Sequence, residues 1–226
     1  MNLSIKTLFF TFITFSTISA FSQNTNKELI NKIDSYLESS VTNGFSGAVL
    51  VSKRGEIILS KGYGWADREN KIPNSPSTVF NIGSVTKQFT ASAILKLVEQ
   101  GKIKTSDKIS SYFTQTPIDK RDITIHQLLT HTSGVSNRTG GFRYNEASKE
   151  QFLKEFFESE LHSKPGKKYQ YANANYIMLT VILELVSGQT YSSFLKEHLF
   201  EPAQMKSTGY KSINFSTERL AHGYYY

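Results

Sequence analysis

Apolar residues recur at helical spacing in six stretches of the chain. From Thr25 to Val41 the positions Leu29, Ile30, Ile33, Tyr36, Leu37 and Val41 mark one helix face, stopped near Gly44. Val85, Phe89, Ala93, Ile94, Leu97 and Val98 mark a second helix, which ends at Gly101 and has Ser84 at its start. Thr124-Ile125-His126-Gln127 reads as a capping box opening a short helix through Leu128 and Leu129. Ser148-Lys149-Glu150-Gln151 reads as another, with Phe152, Phe156 and Leu161 continuing its helix. A very apolar helix is predicted from Asn175 to Val186, stopped by Gly188, and a last one from Tyr191 to Leu199, stopped at Glu201-Pro202.

One stretch reads differently. Gly47–Val51 is a short apolar run, Lys53-Arg54-Gly55-Glu56 a turn, and Ile57–Gly62 a returning strand, which together predict a hairpin with strands buried on both faces. A loop rich in Gly, Pro and Asn is expected from Tyr63 to Thr78. An isolated hairpin is marginal in water, so these strands call for neighbours. The chain stops at Tyr224-Tyr225-Tyr226 with no closing element, and the expectation is a fragment that lacks its late strands. No repeat, low-complexity tract or clear linker interrupts the pattern.

Composition changes this picture little. The chain has 226 residues, 38% hydrophobic and 20% charged, which suits one or at most two globular domains. There is no cysteine, so disulfides and thiolate metal sites are excluded. The net charge of +7 comes from scattered residues without an arginine-aromatic stripe, which argues against a nucleic-acid partner. The N-terminus has Lys6, the apolar run Leu8–Phe15 and small residues up to Ala20-Phe21-Ser22. This reads as a secretory signal peptide over residues 1–22, with cleavage before Gln23 and the mature domain over 23–226. The run is too short to span a bilayer, so no stable membrane anchor is expected, and localisation is periplasmic or secreted.

The candidate chemistry lies in Gly83-Ser84-Val85-Thr86-Lys87. A serine needs a partner to take its proton before it can attack. A lysine three residues on, in a helix, has its Cβ about 5–6 Å away on the same face. The pair is the Ser-Lys alternative to a Ser-His-Asp triad. Ser193-Phe194-Leu195-Lys196 repeats the spacing, but inside a helix, where a solvated face explains it. Tyr171-Ala172-Asn173 supplies possible partners, in a loop just before the helix near Asn175. A tyrosine beside an ammonium can be held partly as phenolate and act as base, and an Asn amide can orient lysine or substrate. His131 has no Gly-x-Ser-x-Gly elbow to serve. His126 and His131 lack a third ligand, so no metal and no cofactor is expected. Asp67, Asp107 and Asp119 read as turn or cap residues.

Taken together and in order, these pieces resemble the serine beta-lactamase and penicillin-binding-protein-like hydrolase family, on its class C side. The resemblance covers Gly44–Val51, Ile82–Thr90, Leu128-Leu129-Thr130-His131-Thr132-Ser133-Gly134, Pro165-Gly166 with Tyr169–Asn173, and Pro202 with Met205–Thr208. It implies an α/β (α+β) fold of beta-lactamase/transpeptidase type, an antiparallel sheet flanked by helices beside an all-helical subdomain. It further implies Ser84 as the acylated nucleophile, Lys87 as its proton partner, Tyr171 as general base and Asn173 as a contact to substrate and lysine. The loop containing His131 is structural in that family. The implied reaction is acyl transfer to water from a peptidoglycan-type peptide, an ester or a beta-lactam. The alternative is a non-catalytic binding or scaffold protein on the same fold. The family's third motif, Lys-Thr-Gly or His-x-Gly on a late strand, is missing. Lys104-Thr105-Ser106 and His222-Gly223 are in the wrong places to supply it, so this chain by itself is expected to be nearly inactive.

Overall fold

The computed structural model describes residues 26–136, 148–210 and 219–224. Residues 1–22, read from sequence as a signal peptide, lie outside them. The chain divides into two compact units, one from the residues before Ile82 together with those after Ile213, the other from Ile82–Ile213.

In the first unit, helix α1 spans 26–41 and the hairpin is β1 (Gly47–Lys53) with β2 (Glu56–Tyr63). The strands are antiparallel, pairing Gly47 with Tyr63 and Lys53 with Glu56, with a register shift between Val51 and Ser52. The turn has φ of +56° at Arg54 and +84° at Gly55, the two left-handed positions that a two-residue hairpin loop demands. α1 is tied to β2 by polar contacts. Asp34 accepts from the Lys61 ammonium at 2.8 Å and from the Tyr63 hydroxyl at 2.7 Å, and Glu38 pairs with Lys61 at 2.8 Å. Two expectations fail here. The strands are not buried on both faces, because Ala48, Leu50 and Ser52 lie exposed on the face opposite the half-buried Val49 and Val51. The expected loop after Tyr63 contains a second antiparallel pair, β3 (Trp65–Asp67) with β4 (Ile72–Pro73). Asp67 makes its connecting turn, accepting from Asn70 N–H at 3.0 Å and Asn70 Nδ2 at 2.7 Å. Leu220 returns to this unit as a parallel bridge to Val79.

The second unit is helical. A 3₁₀ turn (Gly83–Val85) leads into α2 (Thr86–Glu99), and α3 (Ile125–Leu129), α4 (Lys149–Glu158), α5 (Asn173–Ser187) and α6 (Tyr191–Leu195) follow. A helix apolar on nearly every side belongs in an interior. α5 is that helix: Met178, Leu179, Ile182 and Leu183 are fully buried against α2 and α3. α2 contributes Ala93, Ile94 and Leu97 to the same core, and Thr90 is buried where the pattern pointed to Val85, which is half exposed. Thr90 meets that burial with a 2.7 Å hydrogen bond to the Tyr191 hydroxyl.

Helix ends follow local hydrogen bonding. The Thr124 capping box is complete, with Gln127 N–H donating to Thr124 Oγ1 at 3.2 Å and Gln127 Oε1 accepting from Thr124 N–H at 3.0 Å. At Ser148 only half of the box forms, because the Gln151 amide donates to Glu155 instead. α4 stops at Glu158 and does not reach Leu161. The Ser159 hydroxyl closes on Phe156 O, Lys120 donates to Ser159 O, and Leu161 bridges to Val135. α6 is α-helical only to Leu195, and a π turn over Lys196–Phe200 completes the predicted span.

Candidate active site

Ser84, Lys87, Tyr171 and Asn173 meet within the helical unit. Ser84 is the middle residue of the 3₁₀ turn and Lys87 the second residue of α2. Tyr171 precedes α5, and Asn173 is the first residue of that helix, two positions earlier than the predicted start. The reason is Ala172, whose extended backbone (φ −145°, ψ 126°) makes it the N-cap.

Ser84 Oγ and Tyr171 Oη share a 2.7 Å hydrogen bond. Lys87 Nζ donates to Asn173 Oδ1 at 2.8 Å and to Ser84 Oγ at 3.4 Å, so its strong bond is to the amide. The same ammonium lies 4.8 Å from the centre of the Tyr171 ring and 5.6 Å from that of Tyr176. Among the described residues Lys87 forms no ion pair, so its charge acts on its neighbours uncancelled. Partial burial pushes the Tyr171 phenol up. The hydrogen bonds from Lys87 and Ser84 and the Lys87 charge outweigh that and hold it below its usual range. The arrangement can therefore pass a proton from a serine hydroxyl to a phenolate beside a fixed cation.

Sequence reasoning missed what holds Tyr171 in place. The loop after α3 grips the segment before α5 through its backbone. Gly166 N–H donates to Thr132 O at 2.7 Å, and Gln170 N–H donates to His131 O at 2.8 Å. Ala172 N–H donates to His131 Nδ1 at 3.2 Å, and Asn175 Nδ2 lies 3.3 Å from the same atom. The Ser133 hydroxyl donates to Asn175 Oδ1 at 2.7 Å. Gly134 (φ +84°) passes so close to Ser163 that an added Cβ would sit 2.0 Å from Ser163 O. His131 is buried and its ring lies 4.6 Å from that of Tyr171, centre to centre, tilted by 35°. Burial, with Lys87 adding to it, pushes the imidazole below its usual range, and Nδ1 accepts from the Ala172 N–H. His126, the other histidine of the expected pair, is exposed on α3. One signal was present in the sequence: Asn175 is a polar residue near the start of the most apolar helix of the chain, and it is fully buried.

The decoys fall elsewhere. Ser193 is exposed and bonds to Thr190 at 2.8 Å, while Lys196 pairs with Glu201 at 3.7 Å. In the Lys104-Thr105-Ser106 segment, Lys104 N–H donates to Asp107 Oδ2 at 2.7 Å in a turn. His222 lies 3.5 Å from Asp67 in the other unit.

A family profile described as Beta-lactamase matches residues 31–226. The chain belongs to the beta-lactamase family. Its fold is of the beta-lactamase/transpeptidase type, as the order of motifs implied. Among relatives, a protein named as penicillin-binding protein PbpX, of Bacillus subtilis (strain 168), is 38% identical over 79% of this chain and 44% of its own length. FmtA from Staphylococcus aureus superposes with a TM-score of 0.74 at 31% identity, over 86% of this chain and 54% of that one. The D-amino acid amidase from Ochrobactrum anthropi SV3, solved with D-phenylalanine, superposes at 0.74 with 26% identity, over 87% of this chain and 57% of that one. The chain thus spans less than half of PbpX and just over half of the two solved structures. Among its described residues, no helix is long and apolar enough to cross a membrane.

Proposed function

We propose that this beta-lactamase-family protein is an exported serine hydrolase that works through an acyl-enzyme on Ser84. The observation that carries the reading is the 2.7 Å contact between Ser84 Oγ and a tyrosine whose phenol is held below its usual range beside Lys87. Ser84 Oγ attacks a substrate carbonyl and its proton passes to the Tyr171 oxygen. Tyr171 then returns that proton to the departing amine or alcohol, leaving the acyl group on Ser84. In the second half, Tyr171 takes a proton from water, hydroxide adds to the ester, and the acid leaves as Ser84 recovers its hydrogen. Lys87 stabilises the phenolate, and Asn173 holds Lys87 and faces the substrate amide. No metal or other cofactor takes part.

The substrate class is an amide, ester or beta-lactam, with a peptidoglycan-type peptide among the amides. The penicillin-binding name of PbpX and the D-phenylalanine bound to the amidase support that range. Residues 1–22 direct export and are removed, so the exported form is expected to begin at or near Gln23. A non-catalytic binding role on the same fold is the rival class. Rapid mixing of the full-length protein with an activated ester separates the two. A burst approaching one equivalent per protein, followed by slower turnover, is expected. Ser84→Ala should abolish it. Binding without a burst would place the protein in the rival class.

A further inference from the structure

Ala172 lies between Tyr171 and Asn173, the two residues that the proposed reaction needs beside Lys87. Its N–H has one acceptor, His131 Nδ1, at 3.2 Å. A backbone N–H can only donate, so Nδ1 must carry a lone pair and the ring proton must sit on Nε2. The Asn175 amide is oriented to agree. Its Oδ1 is taken by the Ser133 hydroxyl at 2.7 Å, which turns Nδ2 toward the imidazole at 3.3 Å. His131 is itself held in a left-handed conformation (φ +56°), a strained setting for a non-glycine residue. A proton on Nδ1 would replace two attractive contacts with two donor–donor clashes.

Resting on Tyr171 as the proton acceptor, we propose that His131 is a positioning residue that locks Tyr171 and Asn173 onto Lys87 only while Nδ1 is unprotonated, making acylation switch off reversibly in acid. The groups facing the ring are Lys87 from α2, Tyr169 and Tyr171 from the segment before α5, and Tyr176 from α5. Burial and Lys87 oppose an imidazolium, in acid the Tyr171 phenol is protonated and brings no charge, and among the described residues no carboxylate pairs with the ring. The switch therefore falls below the ordinary histidine range of about 6.5. Above it the segment is locked; below it the Ala172 N–H loses its acceptor and the Tyr171 oxygen is released from Ser84.

The test uses the full-length protein and stopped-flow acylation by an activated ester across pH. In His131→Asn the amide oxygen falls near the position of Nδ1, tolerates the left-handed backbone and does not titrate. This variant should acylate within a few-fold of wild type at neutral pH, and the extra loss of rate that His131 adds in acid should vanish, leaving only the limb set by Tyr171 itself. His131→Phe keeps the ring and removes the acceptor. It should acylate ten- to a hundredfold more slowly, the scale expected for displacing a catalytic group by about 1 Å. A His131→Asn variant that retains the wild-type acid limb overturns the inference, as does a His131→Phe variant of wild-type rate. If His131→Phe fails to fold, the ¹⁵N spectrum of wild-type histidines decides: Nδ1 of His131 should be unprotonated at neutral pH, and a protonated Nδ1 overturns the inference. Tyr171→Phe is run in parallel. Wild-type acylation there would remove the underlying reading and this inference with it. Loss of acylation in Tyr171→Phe with an unchanged limb in His131→Asn removes the inference alone.

Discussion

Replacing Asn175 by alanine should destabilise the protein far more than its single side chain suggests. Asn175 is fully buried, so neither it nor its partners have water to fall back on. Its amide accepts from the Ser133 hydroxyl at 2.7 Å and reaches toward His131 Nδ1 at 3.3 Å. Each of these contacts contributes about 1 kcal/mol net. The larger cost is what the substitution leaves behind. Ser133 is fully buried and its hydroxyl hydrogen loses its acceptor, a penalty of about 1–3 kcal/mol. The total is about 2–4 kcal/mol, measurable by urea denaturation of the full-length protein followed by fluorescence and circular dichroism. The second half of the reasoning is a cycle. Ser133→Ala removes the orphaned hydroxyl, so Asn175→Ala in that background should cost about 1–2 kcal/mol less than in wild type. Fully additive losses, or a single-variant loss below about 0.5 kcal/mol, would show that the Ser133–Asn175–His131 chain carries little of the stability of this region.

Three further outcomes are expected. Tyr171 should titrate below free tyrosine, which lies near 10, and Lys87→Ala should move it up; ¹³Cζ tyrosine resonances followed over pH would show no shift between the two proteins if the ammonium does not act on the phenol. In the proposed reaction the base is the deprotonated phenol, so acylation should rise as pH climbs through that lowered value. Lys87→Ala and Tyr171→Phe should each slow acylation strongly and the double variant little more, since the two handle one proton; additive losses in single-turnover rates would separate their roles. Gly134→Ala should destabilise by at least about 2 kcal/mol, because the left-handed backbone and the Ser163 carbonyl both oppose a methyl group there; a thermal midpoint equal to wild type would contradict this.

The parts of the fold that were legible in sequence are those set by local rules. Lys53-Arg54-Gly55-Glu56 between two apolar runs reads as a turn, and the turn is there, with Arg54 and Gly55 left-handed. Thr124 and Gln127 complete their box because both donors are their own. What sequence concealed depends on partners distant along the chain. Val85 has the right period for the α2 core but sits in the 3₁₀ turn ahead of the helix, while Thr90 is drawn inside by Tyr191, far along the chain. Gln151 could have closed the second box but found Glu155 one turn on. Leu161 matches the helical pattern of α4, but the bridge to Val135 takes it. The candidate site divides the same way. The spacing of Ser84 and Lys87 is local and readable. That Tyr171 and Asn173 close over them follows from α5 packing on α2, which no local pattern shows. By its own sequence context His131 could be weighed as a base or a ligand, and the family resemblance marked its loop as structural without saying what it holds. Its support of the Ala172 N–H belongs to three-dimensional structure alone.

The most direct measurement is the position of the covalent adduct. The full-length protein is treated with a fluorophosphonate or a labelled penicillin, digested, and the modified residue mapped by mass spectrometry. The expected label is on Ser84, slowed in Tyr171→Phe and absent from Ser84→Ala. A label on Ser133 or Ser193 with Ser84 unmodified would contradict the central claim.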